Sequence, residues 1–108
     1  MIIITSNQNL IDFDKVLYTE VEANSHAETI EKGSAGFKGL VEKLEKEGYI
    51  EMASDNFSVR MSKTSYSIKF TFNYGNSFSV PIGNHTECST VIENIINAYK
   101  DGKTHIKI

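Results

Sequence analysis

The chain holds one cysteine, Cys88, and one proline, Pro81, among 108 residues. A single thiol excludes an intramolecular disulfide framework, so packing alone must hold the fold. For so small a core, a homodimer interface is a natural supplement. Long apolar runs are missing too. The N-terminal run stops at Ile4, against the roughly 20 residues that a membrane-spanning helix needs. It reads as a strand, and the chain as a cytoplasmic protein with no membrane partner. Arginine is scarce: Arg60 stands alone beside ten lysines. Repeats, low-complexity segments and linkers are absent, and the length suits one domain over residues 1–108.

Constellations that carry chemistry are absent as well. His85 and Cys88 form an H-x-x-C pair that no nearby residue completes, and His26 and His105 are distant in sequence. A metal site needs three or four ligands, so no metal is expected. The surroundings of Cys88, TECST, contain no glycine-lined elbow for a nucleophile. The one glycine cluster, GSAGFKG at residues 33–39, lacks Walker spacing and follows no clear strand. The expectation is a protein with no catalytic residues and no cofactor.

What is present is a mixture of two periodicities. Residues 57–62, 66–72 and 78–82 each alternate apolar with polar, the mark of half-buried antiparallel strands. Turns are expected at residues 62–65 and 73–76, giving a three-stranded meander. Pro81 cannot donate to a ladder and places the third strand at an edge. One apolar face would carry Phe57, Val59, Met61, Tyr66, Ile68, Phe70, Phe72, Phe78 and Val80. Two helical stripes can cover it. Phe37, Leu40, Val41 and Leu44 fall at i, i+3, i+4, i+7, with Ser34 as a candidate cap and Gly48 as the stop. Val91, Ile92, Ile95, Ile96 and Tyr99 make the second stripe, with Asn84 or Thr86 as its cap and Gly102 as its stop.

The flanks are less regular. Residues 2–5, 15–23 and 104–108 read as strands. Ser25 and Glu28 have capping-box spacing, which predicts a short helix ending at Gly33. The fold class is therefore α+β: two layers, a mostly antiparallel sheet with a three-stranded meander packed against two amphipathic helices.

Charge is uneven along the chain. Residues 1–56 carry eleven acids and five bases, whereas residues 57–108 carry three acids and six bases. The acids Asp12, Asp14, Glu20, Glu22, Glu28 and Glu31 are candidates for docking a basic protein surface. On the polar sheet face, Arg60, Lys63 and Lys69 are the candidates for nucleic-acid binding. Abundant Lys, Ile and Asn also suit an AT-rich coding sequence, as found in many phages and mobile elements of low-GC bacteria.

The succession FSVRMS, YSIKFTFNYGNSFSVPI and STVIENIINAYKDG resembles the compact body of a small phage anti-CRISPR inhibitor of type II-A systems. LVEKLEKEGY falls where that family has its first helix, so the resemblance covers residues 40–102. It implies a non-enzymatic protein that inhibits a host CRISPR effector nuclease, with acids filling the Arg-rich pocket that reads the PAM. The family's acidic segment follows the last helix, where this chain ends in KTHIKI. The chain also carries an N-terminal stretch that the family lacks. Any inhibitory acids must therefore lie elsewhere, with the N-terminal set first in line.

Overall fold

The computed structural model describes residues 1–108. In chain order the elements are β1 (Ile2–Ile4), β2 (Leu10–Asp12), a 3₁₀ turn (Phe13–Lys15), β3 (Val16–Glu31), α1 (Phe37–Lys46), β4 (Ile50–Ser54), β5 (Ser58–Phe72), β6 (Ser77–Gly83), α2 (His85–Lys100) and β7 (His105–Lys107). The strands form two sheets, β2-β1-β7 and a four-stranded sheet in which β5 pairs with β3, β4 and β6. Most pairings are antiparallel; β1 with β7 is parallel. The fold class is α+β.

Contacts divide the chain into two compact units, Met1–Ala23 with Ser65–Ile108, and Asn24–Thr64. The long strands β3 and β5 contribute residues to both.

The first unit is built on Ile3, Ile11, Ile68, Phe70, Val80, Cys88 and Ile95. Ile3 sits on the central strand of the small sheet, opposite Ile11 and Ile106, and is fully buried. Ile68 and Phe70 are also fully buried, and each such side chain contributes about 1.5–3 kcal/mol of transfer free energy. β6 pairs with β5 alone, in register Ile68↔Val80 and Phe70↔Phe78. Its edge position accommodates Pro81, as its missing N–H requires.

α2 covers this core with Cys88, Ile95 and Ala98. Asn84 caps it: its side-chain oxygen accepts from the Glu87 amide at 2.8 Å, and its Nδ2 donates to Glu87 Oε1 at 2.9 Å. At the other end Gly102 takes φ 73°. The Gly102 and Lys103 amides donate to the carbonyls of Tyr99 and Ala98, the paired bonds of a Schellman stop.

The second unit has its own core of Ile30, Val59 and Met61, packed by Phe37, Val41, Leu44 and Tyr49. α1 starts at Gly36, whose φ of 76° lets the chain turn in without a side-chain cap. β4 pairs with β5 through Ile50↔Ser62 and, past a bulge at Met52, Ser54↔Val59.

Several expectations are corrected. The capping-box segment is strand, not helix: residues 24–31 belong to β3. Its one buried apolar residue, Ile30, serves the second core, and no helical stripe follows Ser25 to stabilise a helix there. Ser34 does not cap α1; its hydroxyl donates to the Glu31 carbonyl. No turn interrupts residues 62–65, because β5 runs unbroken from Ser58 to Phe72. The three expected strands are therefore two, β5 and β6, and β4 pairs with a separate stretch of β5, Val59–Ser62, while β6 takes Tyr66–Thr71. The apolar phase changes from odd positions (Val59, Met61) to even ones (Ile68, Phe70), and each phase serves a different core. Phe57 is 80% exposed and leaves the predicted core face, whereas Phe78, opposite the buried Phe70, stays on it at the margin, 37% exposed. Ile96 and Tyr99 are also exposed, although the Tyr99 ring meets Phe13 edge-on at 5.4 Å.

Candidate protein-docking groove

α1 offers two adjacent stripes. Phe37, Val41 and Leu44 turn toward the second core. Leu40, Lys43, Leu44 and Glu47 fall at i, i+3, i+4, i+7 and form the wall of an open groove of about 560 Å³. The opposite wall is the end of β3, Glu28 to Glu31, with Ser34. Tyr49 and the buried Ile30 also line it, while Leu40 is 45% exposed. The groove thus combines apolar side chains, Ile30, Leu40, Leu44 and Tyr49, with the acids Glu28, Glu31 and Glu47 and a single base, Lys43.

These acids are not in ion pairs. The ion pairs of the chain, Met1–Asp14 and Lys69–Glu20, involve none of them. Near the β4–β5 turn, Asp55 behaves differently. Its carboxylate accepts the amides of Phe57 and Ser58, both at 2.7 Å. These two bonds hold its pKa below the usual carboxylate value, with the Ser58 hydroxyl and Lys32 adding to the effect. Asp55 is therefore a turn-builder.

The sequence-selected acids divide. Asp12 caps the 3₁₀ turn, accepting from the Asp14 amide at 3.1 Å. Asp14 holds the Met1 amino group at 3.2 Å. Glu20 lies 3.8 Å from Lys69, and Glu22 accepts from the Ser79 hydroxyl at 2.7 Å. Those four sit in the first unit, each engaged locally. Glu28 and Glu31 sit in the second, on the groove. Leu40, Lys43, Glu47, Tyr49 and Thr29 were not singled out as site residues from sequence. The signal that could have found the helical wall is the 40-43-44-47 spacing, shifted from the core stripe.

The basic candidates do not form one cluster in either unit. Lys69 belongs to the first unit. In the second, Arg60 lines a smaller cavity with Asp55, Ser58 and Thr29. The Lys63 stem runs past Gly48.

No group of three or more His, Cys, Asp or Glu side chains is gathered in a way that could hold a metal ion. Cys88 is fully buried. Burial pushes its thiol pKa up and Glu87 adds to the rise, the opposite of an activated nucleophile. No helix is long and apolar enough to cross a membrane. No protein-family model matches the chain, and neither a curated protein nor a solved structure matches it.

Proposed function

We propose that the chain is a non-enzymatic binding protein that acts by occupying a basic surface of a protein partner. The observation that carries this reading is the groove of the second unit, which Glu28, Glu31 and Glu47 line together with Ile30, Leu40, Leu44 and Tyr49, none of the acids being in an internal ion pair. Apolar contact beside complementary charge is the ordinary anatomy of a protein interface.

The partner class follows from the sequence resemblance. A host CRISPR effector nuclease presents an Arg-rich PAM-reading pocket, which acids spaced along a strand and a helix are suited to meet. The order α1, β4, β5, β6, α2 keeps a helix, antiparallel strands and a second helix in the succession of the resemblance, although FSVRMS and YSIKFTF belong to one strand rather than two. On this reading the protein works in the cytoplasm of the infected cell, where its target is. The nucleic-acid alternative draws less support, because Glu20 stands beside Lys69.

The test is a cleavage assay with a type II-A effector nuclease and its guide, with the protein in excess. Inhibition, and its loss in Glu28→Lys/Glu47→Lys, is the expected result. Full cleavage with no complex in a pull-down sinks the nuclease reading.

A further inference from the structure

β3 is a terminal strand of its sheet; its only partner is β5. One long edge of it therefore has no ladder. Backbone groups along an edge strand alternate between facing the neighbour and facing out. The Lys32 amide donates to the Phe57 carbonyl at 2.8 Å, on the β5 side. Two and four residues back, Ile30 and Glu28 face the same way. Thr29 and Glu31 then face out. The Glu31 carbonyl agrees with this phase, for it is taken by the Ser34 amide at 3.0 Å rather than by a strand. That leaves the Thr29 N–H and C=O and the Glu31 N–H on the open edge.

This edge is one wall of the groove, with the α1 stripe opposite. A sheet edge running beside a helix is a place where an extended peptide can add as a further strand. Resting on the binding reading above, we propose that the groove takes one extended, basic segment of the partner by strand addition to β3 at Thr29. The segment presents an apolar side chain to Leu40, Leu44 and Tyr49. Lys or Arg two residues to either side, on the same face, meets Glu28 and Glu47, and Lys or Arg at an adjoining position, on the other face, meets Glu31.

Charge chooses this occupant over a second copy of the chain. β3 carries Glu20, Glu22, Glu28 and Glu31 and no Lys or Arg. Pairing β3 with itself would bring two acidic strands together, which is destabilising. A nucleic acid is repelled by the same acids.

The probe is a set of fluorescein-labelled octapeptides, each with one Leu, Ile or Val flanked at alternate positions by Lys or Arg and filled in with Thr. Binding to the full chain is read by fluorescence anisotropy. The expected result is saturable binding that weakens toward about 1 M salt, where the Debye length shrinks to about 3 Å. Glu28→Lys/Glu47→Lys should weaken it by about tenfold or more. Thr29→Pro, which removes the outward N–H without touching the β5 ladder, should abolish it.

A peptide-side control needs no protein variant. Methylating backbone amides one at a time should cost affinity at every second position, because only alternate amides reach β3. A flat methylation scan overturns strand addition. Equal binding of a Glu-for-Lys peptide set, or no binding by any basic member at millimolar concentration, overturns the basic occupant. A concentration-dependent dimer that Thr29→Pro dissolves assigns the edge to a second copy and also overturns it. The two readings separate in the cleavage assay. Peptide binding without nuclease inhibition sinks the nuclease partner and leaves the groove standing. Inhibition undiminished in Glu28→Lys/Glu47→Lys, with peptide binding lost, overturns the groove as the route to the partner.

Discussion

The Lys69 ammonium on β5 lies 3.8 Å from the Glu20 carboxylate on β3. The polar sheet face of the first unit is thereby balanced in charge at that point, where a sequence-selected acid meets a sequence-selected base. Both side chains remain substantially exposed, Lys69 at 31% and Glu20 at 50%. The pair should therefore contribute little to stability. A double-mutant cycle with Glu20→Gln and Lys69→Met, read by urea unfolding, should give a coupling of about 0.2–1 kcal/mol that fades as salt rises. A salt-independent coupling of several kcal/mol would contradict this placement.

Phe57 and Phe70 test whether alternation or tertiary contact decides burial. Both belong to alternating stretches of similar appearance. Phe70 is fully buried and Phe57 is 80% exposed. Phe70→Ala should cost about 3–5 kcal/mol. Phe57→Ala should stay within about 0.5 kcal/mol. Equilibrium denaturation of the two variants distinguishes them, and comparable losses would mean that Phe57 is covered in solution.

The α2 cap should be separable from the α2 core. Asn84 satisfies the Glu87 amide, so Asn84→Ala should cost about 1 kcal/mol, while Asn84→Asp or Asn84→Ser should keep most of the stability. Gly83→Ala acts on the same contact from outside, because a Cβ there would run into the Glu87 carboxylate. The thermal midpoints of these variants give the ranking. An Asn84→Ala protein as stable as the parent would exclude the cap.

Asp55 gives the chain an acid-sensitive turn. Its pKa is depressed in the fold by the Phe57 and Ser58 amides. A depressed carboxylate contributes stability that is fully present above its unfolded pKa, about 3.9. That contribution is lost as pH falls through the lower, folded value. Asp55→Asn should therefore remove part of the decline in stability between neutral pH and the acid range, while leaving the turn's acceptor oxygen in place. Unfolding curves at several pH values for both proteins should converge toward the acid end. Parallel curves would show that Asp55 contributes no linkage.

Legibility followed the range of the interactions. The bounds of α2 could be read, because its cap, narrowed to Asn84 or Thr86, and its stop at Gly102 are local, whereas Ile96 and Tyr99 of its apolar stripe proved exposed. The α1 core stripe and the edge position of β6, marked by Pro81, were legible for the same reason. Residues 24–31 misled because a four-residue capping signal is weak against pairing with β5, a strand distant in sequence. The expected turn at residues 62–65 misled because Ser62, Lys63, Thr64 and Ser65 contain no glycine, proline or asparagine to force it. The strand simply continued while its apolar phase changed. Of the groove, sequence offered Glu28 and Glu31 but not Glu47, which enters only when α1 is laid beside β3.

By itself, then, the sequence determined the α+β class, the two amphipathic helices with their ends, and the absence of a disulfide framework. Each follows from residue type and spacing along a few turns or strands. Only the tertiary structure decided that two hydrophobic cores exist, that β3 is a long edge strand, and that three glutamates meet around one groove. Those outcomes depend on which distant segments pair, and backbone pairing leaves no signature in local composition.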